Sequence, residues 1–497
     1  MTQLTRSDWE QRARTLNIEG RAFINGQYVS AEGGATFDCF SPVDGRLLAA
    51  VASTGKTEAD AAVEAARRTF ESGVWSQMAP IKRKQILMRF ADRIEANLHE
   101  LALLETLDMG KPISDSLSLD IPGAAEAIRW CAEAIDKVYD EIAPTSPDQL
   151  CLVRREPAGV VAAIVPWNFP LKMASWKLGP ALASGNSVVL KPSEKSPLTA
   201  IRIAQLAHDA GVPAGVLNVL PGMGHVVGKA LGEHADVDVI AFTGSTRVAK
   251  QLLGYAGASN MKRVWLEAGG KSPNIVFADA PDLEKAASSA ALAIAFNQGE
   301  VCNAASRLLV QDSIKDQFMP LLLKALGEWR PGHALDPATR VGAMVDSIQL
   351  ETVMSYLEIG TAEGAKLIHG GARALEETGG LYIEPAIFDE VVNSMRIAQE
   401  EIFGPVLSVI TFSDFDEAIR IANDSCYGLA AAVWTSDISK AHKAAGALRA
   451  GTVEINQYFG GDMTTPFGGY KQSGNGRDKS LHAFDKYMEV KATLIAL

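Results

Sequence analysis

An α/β fold is what this sequence predicts, and two observations predict it. From about Gly159, short apolar runs alternate with segments of helical periodicity. They read GVVAAIV, a helix from about Met173, NSVVLK, a helix from Pro197, GVLNVLP, a helix after Gly224, VDVIAFTG and another helix. This βαβα rhythm implies a parallel sheet covered by helices. The rhythm restarts after Glu267 with PNIVF, an alanine-rich helix and SRLLV, so the chain holds two α/β halves in succession.

The elements before them are helical. ADAAVEAARRTF, after Glu58, has helical spacing, and ELALLETLDMGKP ends at a Gly-Lys-Pro stop. The N-terminal MTQLTRSDWEQRARTLNIEG is polar and helix-like, lacks the apolar core of a signal peptide and carries acidic residues that transit peptides avoid. The most apolar stretch, AGVVAAIVPWNFP, is broken by Pro166 and Pro170 and is too short to span a bilayer. A length of 497 residues allows two or three domains with a large core. Net charge is −12, which argues against a nucleic-acid or anionic-membrane partner. Cys39, Cys131, Cys151, Cys302 and Cys426 form an odd set without framework spacing, as expected in a reducing cytoplasm.

Cys302 is the residue that says most about chemistry. It lies in FNQGEVCNAASR, after a glycine and among small and polar residues that leave room for a carbonyl. No CxxC pair or Cys/His cluster surrounds it, so no metal site is expected. Upstream, WLEAGGKSPNIV places Glu267 before two glycines. Alone, such a cysteine is more often a small core residue, and such a glutamate a cap or turn carboxylate. Together they suggest covalent catalysis with a separate base. FTGSTRVAK follows a predicted strand; Gly244 opens a tight turn, and Ser245 and Thr246 present N–H groups at a helix N-terminus suited to a pyrophosphate. A plain Gly-Ser helix cap is the alternative, and no GxGxxG occurs. Lys191 and Glu194 follow the strand NSVVL, at the carboxyl edge where such sheets bind ligands. Glu194 suits ribose hydroxyls and repels a 2′-phosphate, which favours NAD over NADP; otherwise the two are surface charges.

The motifs PWNFP, KPSE, FTGST, LEAGGKSP, GEVC, EEIFGPV and PFGGYKQSG occur in one order, and together the chain resembles the aldehyde dehydrogenase superfamily from about residue 20 to its C-terminus. The resemblance implies a Rossmann-type NAD-binding domain over 1–135 and 157–266, an α/β catalytic domain over 267–471, and a β oligomerisation arm with bridging segments over 136–156 and 472–497. The strand-like ends, 149–156 and 491–497, would pair in that arm and reach a second copy, giving a homodimer or homotetramer. Cys302 would add to an aldehyde as nucleophile, Glu267 would serve as base, and Asn168 with the Cys302 N–H would hold the oxyanion. For Asn168 the alternative is a turn residue before Pro170. Lys177 and Asp478 would carry protons from Glu267; the family often has Glu at the position of Asp478, which puts that step in doubt. NAD would lie against Trp167, Lys191, Glu194, Gly224, Gly244, Ser245, Thr246, Arg247, Val248, Ala249, Glu401 and Phe403. Ala249 stands where the family usually has glycine.

Within the superfamily the chain is most similar to bacterial γ-glutamyl-γ-aminobutyraldehyde dehydrogenases of putrescine breakdown, on SLDIPGAAEAIRWCAEAIDKVYDE, SNMKRVWLEAGGKS, FNQGEVC and GGDMTTPFGGYKQSGNGRDKSLHAF. That implies an ω-amino aldehyde as substrate. Phe169, Met173, Trp176 and Phe467 would wall the tunnel, and Asn303 would tune its choice. Asp120 and Asp462 would read an amino group at its mouth; the alternatives are a helix N-cap for Asp120 and a loop solvent contact for Asp462. Three other functions stay open: a betaine-aldehyde or general aliphatic aldehyde dehydrogenase, a CoA-acylating relative, and a catalytically silent scaffold on the same fold. Glu267 argues against CoA acylation. Cys302, Glu267 and Asn168 together argue against a scaffold.

Overall fold

The computed structural model of the chain describes residues 4–497. Its first sheet carries the strands Arg263–Glu267, Val239–Thr243, Val160–Ile164, Ser187–Lys191 and Leu217–Val219 in that spatial order, all parallel. The hairpin Ala22–Ile24 and Gln27–Val29 closes one edge in antiparallel pairing. The three central strands are buried along their whole length, which is why they read as continuous apolar runs. From Val160–Ile164 the chain lays its next two strands on one side and the following two on the other. Strand order therefore reverses between Val160–Ile164 and Val239–Thr243, and a crevice opens beyond their carboxyl ends. The loops there are PWNFP and FTGST.

A second sheet contains, in spatial order, Lys366–His369, Ala386–Asp389, Val406–Phe412, Arg307–Gln311, Pro273–Val276, Ala430–Trp434 and Thr452–Ile455. All its pairings are parallel except the first. The two sheets meet in sequence at Glu267, the last residue of its strand.

Helices cover the sheets much as their periodicity indicates. Lys56–Glu71, Pro80–Ala96, Leu98–Met109 and Ile121–Ala134 fill the region before the first βαβ unit. Leu98–Met109 stops at Gly110, whose φ of 91° is the left-handed C-cap that glycine supplies. The helix expected from about Met173 begins earlier, at Pro170, because proline at the first position loses no needed N–H and presets the backbone angle. The helix expected after Gly224 is a wide turn, Gly224–Gly228, running into one short helix, Lys229–Glu233.

Gln149–Pro157 pairs antiparallel with Met488–Ala496, and Glu141–Ala143 flanks the first of these strands. Val490, Leu494 and Ile495 stand exposed on this three-stranded arm. Not all of 472–497 belongs to it. Gly474 bridges to Glu267 and Asp478 bridges to Phe467, so 472–487 folds back under the second half of the chain. Buried pairing of Asp478 with Lys177 and Lys486 holds it there. All five cysteines are free. Among the described residues, no helix is long and apolar enough to cross a membrane.

Candidate active site

Cys302 sits where two cavities meet. One, of about 470 Å³, is walled by Phe169, Met173, Trp176, Phe296, Asn303, Phe459 and Phe467. The other, of about 250 Å³, is walled by Trp167, Asn168, Thr243, Gly244, Ser245, Glu267, Glu401 and Phe403. Cys302 lines both.

The loop that presents the thiol is held in an unusual backbone. Asn297, Gln298 and Gly299 follow one another at φ of 49°, 57° and 71°. A Cβ on Gly299 would stand 2.3 Å from the Gly404 carbonyl carbon, so only glycine fits. Two left-handed non-glycine residues are costly, and buried side-chain hydrogen bonds hold them. Asn297 Nδ2 donates to the carbonyls of Asn168 (3.2 Å) and Glu300 (3.1 Å). Gln298 Oε1 accepts from Gly342 N–H and Glu300 Oε1 from Val345 N–H, both at 3.0 Å. Gly270 lets the loop after Glu267 pass this backbone: a Cβ there would lie 2.4 Å from the Cys302 carbonyl oxygen.

Glu267 is buried, and neither carboxylate oxygen has a hydrogen-bond partner. Burial raises its pKa to about 8, against the pull of Lys177 and with added push from Asp478 and Glu401. That value suits proton transfer near neutral pH. The Cys302 thiol is also pushed well above its usual range, by burial first and then by Glu267 and Glu401; backbone N–H groups of Asn303 and Cys302 offset part of this. No nearby cation lowers it. The resting thiol is therefore protonated, and a base must take its proton when it reacts.

Lys177 donates to Asp478 Oδ2 at 2.5 Å, and Lys486 donates to Oδ1. All three side chains are buried. Burial works against the Asp478 carboxylate, but the two ammonium groups outweigh it and lower its pKa. Burial lowers Lys486 to about 8. Lys486 gave no signal in the sequence, since nothing in its spacing links it to Asp478.

Asn168 is buried and its Nδ2 donates to the Glu300 carbonyl at 2.9 Å, which leaves the second amide hydrogen for another acceptor. Around the second cavity, Ser245 caps the helix Thr246–Ala258 by accepting from Val248 N–H, and the helix N-terminus opens beside Gly244. Arg247 is exposed in its first turn, Val248 is half-buried and Ala249 is buried against the sheet. Glu401 Oε1 accepts from Gly270 N–H at 3.0 Å, and burial raises its carboxyl to about 7. Phe403 meets Trp167 edge to face at 5.0 Å. Lys191 and Glu194 pair at 2.8 Å, and both lie within 4 Å of where a Gly224 Cβ would stand. These residues fit a dinucleotide. Thr243 Oγ1 is buried there without a partner, the cavity is open, and a helix N-terminus is free for phosphate.

One sequence expectation needs correction. Asp120 is not at the tunnel mouth and does not cap its helix. It is fully buried and ion-paired to Lys111 at 2.7 Å, and the Lys111 ammonium lies 4.1 Å from the Phe169 ring centroid. The pair therefore supports the tunnel wall from behind. Asp462 is exposed and accepts from Thr464 N–H and Oγ, which makes it a turn former beside the tunnel. The carboxylates that do line the tunnel are Asp115 and Glu454, with Leu119 and Trp329 beside them. Asp115 lies one helical turn from Asp120, and burial raises its pKa to about 7. Phe169 stacks on Phe296 (6.1 Å), Trp176 meets Phe467 (5.4 Å), and Phe296 meets Phe459 (5.8 Å).

A reversing parallel sheet with a helix N-terminus at its crevice, joined through a cysteine to a second cavity, suits a nucleotide cofactor on one side of a thiol and a substrate on the other. The sequence profile of the aldehyde dehydrogenase family matches residues 28–493, and the chain belongs to that family. It is 56% identical over 489 residues, 98% of each chain, to the NADP/NAD-dependent aldehyde dehydrogenase PuuC of Escherichia coli (strain K12). The solved structure of an indole-3-acetaldehyde dehydrogenase complexed with NAD+ superposes with a TM-score of 0.99 at 71% identity, over the whole of both chains. That of a γ-glutamyl-γ-aminobutyraldehyde dehydrogenase from Burkholderia cenocepacia gives 0.98 at 61%, over 99% of this chain and 100% of the other. The protein is an NAD-dependent aldehyde dehydrogenase.

Asp120→Ala leaves the buried Lys111 with only the more distant Glu105, at 4.0 Å, and is expected to cost about 1–3 kcal/mol of stability. Denaturant unfolding measures this, and activity should fall alike for every aldehyde. Glu267 yields a second expectation. Its folded pKa lies above the unfolded one, so its contribution to stability is lost as pH rises toward about 8. Glu267→Gln should therefore gain stability relative to the parent as pH goes from 6 to 9, and thermal melts across that range measure it.

Proposed function

We propose that the physiological substrate is an ω-amino aldehyde or its γ-glutamyl derivative, oxidised to the acid through a thioester on Cys302. The observation that carries this reading is the pair of carboxylates, Asp115 and Glu454, in the wall of a cavity that ends at Cys302. The name of one relative, the γ-glutamyl-γ-aminobutyraldehyde dehydrogenase from Burkholderia cenocepacia, supports the same class.

In the proposed chemistry, Glu267 takes the thiol proton through water as the Cys302 sulfur bonds to the aldehyde carbon. The Asn168 amide and the Cys302 N–H hold the resulting oxyanion; one such donor is worth about 3 kcal/mol. Bound NAD supplies the acceptor for the hydride that the collapsing oxyanion expels. The product is a thioester on Cys302. Glu267 then deprotonates a water that attacks the acyl carbon, and the sulfur leaves. Glu267 returns its proton to water between the two steps. Asp478, held ionised by Lys177 and Lys486, does not carry it, and the Lys177 ammonium favours the ionised Glu267.

A second reading has its own support. The aromatic walls of the tunnel suit a flat ring, and the 71%-identical structure is named for indole-3-acetaldehyde. Comparing kcat/KM for γ-glutamylaminobutyraldehyde, aminobutyraldehyde, indole-3-acetaldehyde, betaine aldehyde and propionaldehyde decides between them. Under the first reading Asp115→Asn lowers the amino-bearing substrates several-fold relative to propionaldehyde. Because Asp115 ionises at about 7, the parent's preference should also grow between pH 6 and pH 8. An unchanged ratio in both tests returns the assignment to the aromatic reading.

Glu194 underlies an NAD preference. Burial opposes its ionisation, but the Lys191 ammonium brings its carboxyl below the usual range, so it is charged at neutral pH. Glu194→Ser is expected to narrow the ratio of kcat/KM for NAD over NADP, measured with one aldehyde.

The arm supports self-association. A long edge strand with exposed Val490, Leu494 and Ile495 is a template for pairing with a second copy. Leu494→Lys with Ile495→Lys is expected to lower the oligomer mass seen by light scattering. Five free cysteines support a reducing, cytoplasmic setting.

A further inference from the structure

Two lysines share the wall of the substrate tunnel with its carboxylates. Lys172 and Lys479 both line the cavity that ends at Cys302. Neither ammonium has an ion-pair or hydrogen-bond partner among the described residues, whereas the deeper Lys111, Lys177 and Lys486 are all paired. Each lies beside an aromatic ring of the same wall. The Lys172 ammonium is 6.0 Å from the Phe169 centroid and that of Lys479 is 5.6 Å from the Trp176 centroid. Trp176 is one helical turn beyond Lys172 on the helix Pro170–Ala183, so both cations occupy one side of the tunnel.

The fold holds both in place. The Lys172 stem runs past Gly123, where a Cβ would stand 3.2 Å from its Cε. Lys479 lies between two anchored residues. Asp478 is locked by Lys177 and Lys486, and Ser480 N–H donates to the Met463 carbonyl at 2.7 Å. Lys479 and Ser480 have φ of 59° and 51°, a conformation that non-glycine residues adopt only when their surroundings impose it. Neither ammonium touches a counter-ion; the carboxylates Asp462, Glu126 and Glu454 act on Lys479 only from beyond contact distance, and two like charges held close together in this way attract an anion.

We propose that Lys172 and Lys479 bind a carboxylate at the far end of the aldehyde, and that this enzyme selects aldehydes with an acidic tail. This rests on the reading of Asp115 and Glu454 as ligands for an amino group. Together the four charges suit an α-amino acid head, which carries one charge of each sign. A γ-glutamyl group has that head; a bare ω-amino aldehyde offers only the ammonium, which the lysines repel.

The test compares γ-glutamylaminobutyraldehyde with the same compound in which the α-carboxylate is amidated, and uses propionaldehyde as control. The parent should prefer the acid by kcat/KM. Lys172→Met and Lys479→Met should each reduce that preference, by roughly fivefold for a partly exposed pair. The double variant should abolish it, with propionaldehyde oxidised within twofold of the parent. Raising ionic strength should erode the parent's preference in the same way. Equal use of acid and amide by the parent overturns the proposal, as does an equal loss on both in the variants. The amino-group reading fails separately: Asp115→Asn would then leave the amino-bearing substrates unaffected while the lysine variants still lost their preference for the acid.

Discussion

Glu267 is a carboxylate buried with no hydrogen-bond partner, and the site depends on that arrangement. Burial of an unpartnered carboxylate is unfavourable, and the group responds by holding its proton to about pH 8. The same burial that makes it costly gives it a pKa suited to proton transfer near neutral pH. Its neighbours keep it within reach of ionisation. Lys177 and Lys486 bring two positive charges to the single negative charge of Asp478, so the buried group has an excess cation facing Glu267. Asp478, one methylene shorter than Glu, reaches both lysines at once.

The sequence made the fold legible where hydrophobic pattern was continuous. Strands such as Val160–Ile164 and Val239–Thr243 are buried on both faces, and their apolar runs leave little choice. Pro170 shifted a helix start by three residues because a proline that breaks an apolar run also begins a helix. The C-terminal segment was less legible. Its strand-like end, Met488–Ala496, is visible, but 472–487 is held by long-range pairing of charged residues, which leaves no periodic trace.

The site was readable where a motif fixes the backbone. Cys302, Glu267, Asn168, Glu401 and Phe403 all border the same cavity, and each lies in a loop, or for Glu267 at the strand end just before one, whose glycines or prolines announce it. Substrate-facing residues were less readable, because tunnel lining depends on how distant segments meet. Asp120 and Asp115 lie five residues apart in one apolar and acidic stretch, and only packing decides which faces the cavity. Lys111 decides it here by drawing Asp120 inward. The tunnel that results combines aromatic walls with charges of both signs.

The central claim is that Cys302 carries the acyl group and that Glu267 releases it. Mixing Glu267→Gln with NAD and an aldehyde in a stopped-flow spectrometer tests it most directly, with intact-mass measurement of the quenched protein. The account predicts a burst of no more than one NADH per site, followed by very slow turnover, with the acyl mass added at Cys302. Normal steady turnover with an unmodified Cys302 would contradict it.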